Sequence, residues 1–397
     1  MVYITSEDGD EKVFNIIKKK IVNHSRKVSI MYLNVSTYCN LACKYCFIDN
    51  NPLSENDRRI MKFETAKNAI DKFKIEIIKN KEEKESQIIL YGGEPLSNKK
   101  YIEQILDYAR EQLPITKIIL ITNGTMLDEQ TILYLNKRDV IIGLSLDGPK
   151  CVNDKYRVFK DEEGSVYDNV KNKIVLLNKH NSKYGLSSTV TKDLIDCKDE
   201  MLNVFNELKV HDVFFNLLHY SSFKEEKEWV DFYNSMSDFI LDSNKKLEEI
   251  HIREGRIRDQ LNLLSGEILK FQSCGAVGLN QITVQPDGSV CICQGDSRSS
   301  KNVIGNINND SIEDMLKNKS VKKWTNYYTM CRKECKYCEA LFVCGGGCPL
   351  QSEALFGSRD ALDKASCLFY KKFLTCYLKK YYNIVKEGEC YDNNSKS

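Results

Sequence analysis

The sequence predicts an α/β protein: a partial (β/α)6 TIM-like barrel followed by a cysteine-rich C-terminal domain. Three observations carry this reading. From Met31 to about Tyr220, short β-branched apolar runs alternate with segments of helical period, the pattern of a parallel sheet with helical crossovers. The 16 cysteines fall in two regions, Cys39 to Cys46 and Cys274 to Cys390, with only Cys151 and Cys197 between them. Past Cys274 the pattern changes to QITVQ-PDG-SVCIC, two alternating runs about a Pro-Asp-Gly turn, which is a β-hairpin signal.

Taken in order, residues 1–29 read as an N-terminal extension and 30–222 as the partial barrel. Its strands are MYLNVST, QIILYGG, KIILITNG, IIGLSLD, YGLSSTVT and DVFFNLLHY, with helices such as Phe63 to Lys79 and Lys99 to Gln112 between them. Residues 223–273 read as a charged helical connection without a Pro or Gly cluster to mark a free linker. The cysteine-rich domain spans 274–376. A tail, 377–397, ends in EGECYDNNSKS, which lacks core-forming periodicity and is expected to fray.

A chain of 397 residues can bury a large core, and its 58 Lys plus Arg nearly cancel 56 Asp plus Glu. The net charge of +2 gives no electrostatic reason to expect nucleic acid or an anionic membrane as partner. The N-terminal MVYITSEDGDEK is acidic where a signal peptide is basic and apolar, and no apolar run has the length of a membrane span. These features predict a cytoplasmic protein. That compartment keeps thiols reduced, so metal or cluster ligation is the default use for so many cysteines.

The segment CNLACKYCF places Cys39, Cys43 and Cys46 in a loop leaving the first strand. In parallel β/α architectures this rim, at the strands' C-terminal ends, is where ligands sit. A structural zinc takes four closed ligands, whereas a [4Fe–4S] cube held by three cysteines leaves one iron open. Tyr45 and Phe47 can wall such a cluster and stack near an adenine. YGGEP follows the second strand, with Gly92, Gly93 and Glu94 offering acceptors for an ammonium group; the alternative is a plain strand-to-helix turn.

On these residues the chain resembles the radical S-adenosylmethionine (SAM) superfamily, whose cysteine motif has this spacing with an aromatic residue before the third cysteine. The resemblance implies that Cys39, Cys43 and Cys46 hold the cluster that cleaves SAM and that Glu94 meets the methionyl amino group. GLSLDGP is similar to the family's fourth-strand motif, which carries over Ser145 as a ribose contact and Arg157 as partner of the methionyl carboxylate. The family often has His-Asp where Asn153 and Asp154 stand here. Asn123 and Leu217 occupy positions near the nucleoside, and Asp147 either touches SAM or caps the following turn.

The C-terminal array runs Cys274, thirteen residues, Gly288, four residues, Cys293, then Cys335, Cys338, Cys344, Cys348 and Cys367 at intervals of two, five, three and eighteen. It resembles the seven-cysteine SPASM domain of peptide-modifying radical SAM enzymes; a zinc ribbon on Cys335, Cys338, Cys344 and Cys348 is the alternative. The resemblance implies two auxiliary [4Fe–4S] clusters, so three in all. Cys274, Cys293 and Cys348 would hold the first, with Cys291, Cys331 or an open iron completing it because Asn280 replaces a family cysteine. Cys335, Cys338, Cys344 and Cys367 would hold the second.

The resemblance further implies an anaerobic oxidoreductase that forms a 5′-deoxyadenosyl radical and abstracts hydrogen from its substrate. A ribosomal precursor peptide, joined through a thioether or C–C crosslink, ranks first. Anaerobic sulfatase maturation, which makes formylglycine, ranks second because Gln294 stands where those enzymes place an aspartate general base. A small-molecule or cofactor precursor is a third substrate class. A non-catalytic iron–sulfur electron carrier or zinc scaffold explains the cysteines but not the SAM motifs. Expected partners are the peptide and an electron donor such as flavodoxin or ferredoxin. Only 38 residues precede Cys39, so leader recognition is expected from a separate protein or another surface.

Overall fold

The computed structural model of the chain describes residues 15, 27–46, 59–81, 83–218, 223, 225–264, 274–296, 302–322, 324, 332–336 and 338–392. Phe47 and Cys331 lie outside the described residues.

Strands β1 (Ile30–Ser36), β2 (Gln87–Gly92), β3 (Lys117–Thr122), β4 (Val140–Ser145), β5 (Tyr184–Val190) and β6 (Asp212–Leu217) lie side by side in chain order, all parallel. They coincide with the six expected runs. At one edge β7 (Arg253–Glu254) adds parallel to β6. At the other edge β8 (Gln281–Val284) adds parallel to β1, in register Ile30↔Gln281. It turns back antiparallel as β9 (Ser289–Cys291), which pairs with β10 (Gly305–Asn306). The hairpin of the cysteine-rich region is thereby continuous with the barrel in one open sheet of ten strands. An uncovered β1 edge would leave its N–H groups unpaired; the backbone N–H groups of Ser29 and Ile30 donate to Asn280 O at 2.9 and 3.0 Å and start the join.

Alternation along the strands separates two faces. Met31, Leu33, Ile88, Leu90, Ile118, Leu120, Ile142, Leu144 and Phe215 are fully buried on the helix-covered side. On the other side Tyr32, Tyr91, Ile121, Gly143, Ser145, Ser187 and Asn216 are half-buried and Phe214 is exposed, which leaves a concave face open.

Helix α1 (Phe63–Asn80) shows how the covered face is built. Ala66, Ala69, Ile70, Phe73 and Ile77 recur at three- and four-residue steps and are all buried; truncating Phe73 to Ala would cost about 3–5 kcal/mol. The helix stops where Lys81 turns left-handed at φ 57°. Helix α2 (Ile102–Gln112) follows β2. Helix α3 (Glu129–Lys137) opens on Asp128, whose carboxylate accepts from Thr131 N at 2.8 Å. Then come α4 (Lys150–Tyr156), α5 (Val166–Lys179) and α6 (Lys198–Glu207).

The connection after β6 holds α7 (Glu226–Glu249) and α8 (Gly255–Leu264). In the cysteine-rich region α9 (Pro349–Phe356) precedes α10, which runs unbroken from Lys364 to Asp392, across the point where the sequence suggested a tail. Its first part packs against α7. Ser237 Oγ donates to Phe369 O at 3.0 Å, and Lys372 Nζ reaches Asn234 O and Asp238 Oδ2 at 2.8 and 2.6 Å.

Candidate active site

The strands' C-terminal ends bring the first cysteine loop against the turn after β2. Gly93 N and Glu94 N donate to Ser36 O and Tyr38 O at 2.8 and 2.7 Å. A Cβ on Gly92, whose φ is +143°, would fall 2.2 Å from Ser36 O, and one on Gly93 would fall 2.4 Å from Tyr38 O. The paired glycines are the price of that approach.

Glu94 is fully buried, and its carboxylate accepts from Thr122 Oγ1 (2.6 Å), Leu96 N (3.0 Å) and Asn123 N (2.8 Å). Burial raises its pKa against the pull of those donors. In this arrangement the side chain ties β2 to β3. Asn123 carries the link onward: its Nδ2 donates to Asn40 Oδ1 at 2.9 Å and lies 3.7 Å from Cys39 Sγ.

Burial pushes the Cys39 thiol up to about 12; Leu41 N–H works against this, and Glu94, Cys43 and Cys46 add to it. Leu41 N donates to Cys39 Sγ at 3.4 Å, and Cys46 N closes a turn on Cys43 O at 3.0 Å. Tyr45, between the second and third, packs its ring 5.8 Å from Tyr156, has Arg157 5.5 Å from its centroid and donates to Asp147.

Asp147 is the hub of the opposite wall. Arg157 Nε and Nη2 each donate to its carboxylate at 2.9 Å, and Thr189 N donates at 2.9 Å. Asp147 N in turn donates to Asn153 Oδ1 at 3.2 Å. Beside the two readings of Asp147, the structure gives it a further role as an anchor for Arg157. Ser145 ends β4, and Leu217 ends β6 opposite Val190, both half-buried. Sequence reasoning missed Tyr32 and Tyr91, set edge to face at 5.9 Å on the concave surface. Burial raises Tyr32 to about 12, with Cys293 and Cys274 adding to it; burial also raises Tyr91, with Cys46 the largest electrostatic contributor. The pair stands between the two cysteine regions, and only their apolar alternation in the strands was visible beforehand.

Two sets of C-terminal cysteines raise one another's thiols. Burial, then Cys274 and Cys348, push Cys293 well above its ordinary value. Cys348 is pushed up to about 12 by burial and next by Cys274. Cys367 is raised to about 11 by burial, Asp363, Cys335 and Cys338, while Cys344 is raised by burial and Cys367. Between Cys344 and Cys348 lie Gly345, Gly346 and Gly347 at φ 66°, 98° and 78°. Three successive left-handed residues, a run suited to glycine, let cysteines four apart face different groups. Cys291 stands apart from both: its thiol lies 3.2 Å from Cys293 O and 3.8 Å from Thr283 O, and Gln285 Nε2 lies 3.7 Å from its sulfur.

The spacing of the sulfurs tests what they can hold. Four thiolates on one zinc sit about 3.8 Å apart, from Zn–S bonds of about 2.3 Å in a tetrahedron. Among the described residues, no three of these motif cysteines have sulfurs within 4.8 Å of one another. That is not the closed set of one zinc ion, and a donor set made of thiols alone is what an iron–sulfur cluster takes. Loading it must displace the thiol protons that burial retains.

A family model described as the radical SAM superfamily matches residues 33–191, and one described as an iron–sulfur cluster-binding domain, SPASM, matches 274–339. The chain is 27% identical over 380 residues, 92% of its length and 77% of the relative's, to the radical SAM cyclopropyl synthase TigE of Paramaledivibacter caminithermalis. It is 25% identical over 376 residues, 90% of its length and 98% of the relative's, to the cysteine-type anaerobic sulfatase-maturating enzyme of Clostridium perfringens. Among solved structures, native anSMEcpe with bound AdoMet superposes at TM-score 0.73 with 22% identity, over 90% of this chain and 99% of that one. Streptococcus suis SuiB bound to precursor peptide SuiA superposes at 0.60 with 17% identity, over 92% and 82%. At these identities the structures speak for the fold.

Proposed function

Because this chain is a radical SAM enzyme with a SPASM domain, we propose that it modifies a peptide, abstracting a hydrogen atom and closing a C–C or thioether crosslink. When bound, the iron–sulfur cluster supplies the electron that splits SAM into methionine and the 5′-deoxyadenosyl radical. Cys39, Cys43 and Cys46 hold that cluster. The turn at Gly92 and Gly93 fixes their loop, and Ser145, Asn123, Leu217 and Arg157 meet SAM at the C-terminal rim of the strands. The face itself presents one substrate C–H bond and limits access by other hydrogen donors. Cys274, Cys293 and Cys348 hold one auxiliary cluster and Cys335, Cys338, Cys344 and Cys367 another. With the SAM cluster this makes three [4Fe–4S] cubes.

The observation that carries crosslinking over formylglycine formation is the environment of residue 294. Gln294 is an amide, and its Oε1 accepts from Gln281 Nε2 at 3.1 Å. The nearest carboxylate in sequence, Asp296, is buried and held by Arg359 through bonds of 2.9 and 2.6 Å. Both of its oxygens are engaged by that guanidinium. The name of TigE, a cyclopropyl synthase, favours C–C bond formation. The similarity to sulfatase-maturating enzymes keeps formylglycine formation as the second reading.

The test incubates the anaerobically reconstituted enzyme, SAM and dithionite with peptides encoded beside its gene, and separately with a sulfatase-derived peptide containing Cys or Ser. Loss of two hydrogens from a neighbouring peptide, with fragmentation blocked between the joined residues, is the expected result. Formylglycine in the sulfatase peptide, with no change in the others, would reverse the order.

A further inference from the structure

Away from the concave face, three donor side chains meet on the outer helices. The sulfurs of Cys151 and Cys197 and a carboxylate oxygen of Glu200 all lie within 4.8 Å of one another, the tightest such grouping of His, Cys, Asp or Glu among the described residues. Cys151 stands exposed in the first turn of α4, Cys197 half-buried at the start of α6, and Glu200 exposed one turn further along α6. The contrast with the motif cysteines is informative. Among the described residues no three of those lie within 4.8 Å of one another, whereas this trio approaches the span of ligands on one tetrahedral ion, about 3.8 Å for sulfur pairs.

We propose that Cys151, Cys197 and Glu200 bind a single thiophilic divalent cation, Zn2+ being the test ion, with water as fourth ligand. Two soft sulfurs and one carboxylate suit zinc better than magnesium or calcium, which take oxygen donors. Binding releases the two thiol protons to solvent and changes no oxidation state. The ion clamps the start of α4 to the start of α6, two segments already in close contact. A Cβ on Gly148, just before α4, would fall 2.7 Å from Leu194 Cδ1 and 3.3 Å from Met201 Cγ. Helix α4 carries Asn153 and ends at Arg157, and the chain reaching Cys197 leaves β5 past Thr189. Both segments hold Asp147. The clamp therefore braces the wall of the site from outside it.

The experiment loads the reconstituted holoenzyme anaerobically with zinc, removes loosely bound metal on a desalting column, and measures zinc, iron, sulfide and the zinc X-ray absorption edge. One zinc per chain with two sulfur neighbours at about 2.3 Å, added without loss of iron, is expected. The double variant C151S/C197S should lose that zinc and keep its iron and sulfide. The exposed C151S variant alone should lose one sulfur neighbour, and it serves as the readout should the double variant fold poorly. Zinc retained equally by the variants, zinc without sulfur neighbours, zinc entering only as iron leaves, or a Cys151–Cys197 disulfide in the anaerobic protein would each overturn the proposal.

Discussion

Arg157 grips Asp147 with two parallel hydrogen bonds of 2.9 Å, between side chains that are 9% and 0% exposed. The pair joins the end of α4 to the loop after β4, and Thr189 N and Tyr45 complete the carboxylate's coordination. Removing one member strands the other charge in the interior, which costs about 3–5 kcal/mol. Asp147→Ala should therefore lower the unfolding free energy of the reconstituted enzyme by that order and depress SAM cleavage. Arg157→Lys keeps the charge but loses the planar fork, and should fall between the parent and Asp147→Ala. Denaturant titration with parallel 5′-deoxyadenosine assays measures both.

The turn after β2 leaves no room for a side chain where it meets the cysteine loop. Gly93→Ala must move either Tyr38 O or the turn, and the next residue is Cys39. The expected outcome is loss of about four irons per chain, one cube's worth, with the auxiliary iron retained. Iron equal to the parent's would mean that the loop accommodates the methyl group.

Cysteine substitutions separate the two C-terminal groups. Cys293→Ala should remove iron held with Cys274 and Cys348, and Cys344→Ala iron held with Cys335, Cys338 and Cys367, about four irons in each case. Cys291→Ala should leave iron and sulfide unchanged, because its thiol engages Cys293 O, Thr283 O and Gln285 instead. Metal analysis of the three variants after identical reconstitution decides the grouping.

Much of this was legible in the sequence because it is local. Each of the six barrel strands is a short apolar run with its own boundaries, and cysteine intervals are visible as spacing. What escaped depends on distant partners. Strand β7 is two residues long, too short to show a period, and exists because β6 offers it an edge. QITV was readable as half of a hairpin, but its parallel union with β1 spans about 250 residues of chain and leaves no local mark. Glu94 was placed on the SAM side from its motif. Its three internal donors come from Leu96, Thr122 and Asn123, and two of these belong to the next strand and its exit. The Asp147–Arg157 pair stayed hidden for a similar reason, since both residues had readings that fitted a ligand.

The function proposed above requires that Cys39, Cys43 and Cys46 hold the cluster that cleaves SAM, apart from the C-terminal clusters. It is tested most directly by replacing all three with alanine and assaying 5′-deoxyadenosine under dithionite, alongside iron and sulfide. 5′-Deoxyadenosine formation should be abolished while iron falls from about twelve to about eight per chain. SAM cleavage at the parent's rate in that variant would contradict it.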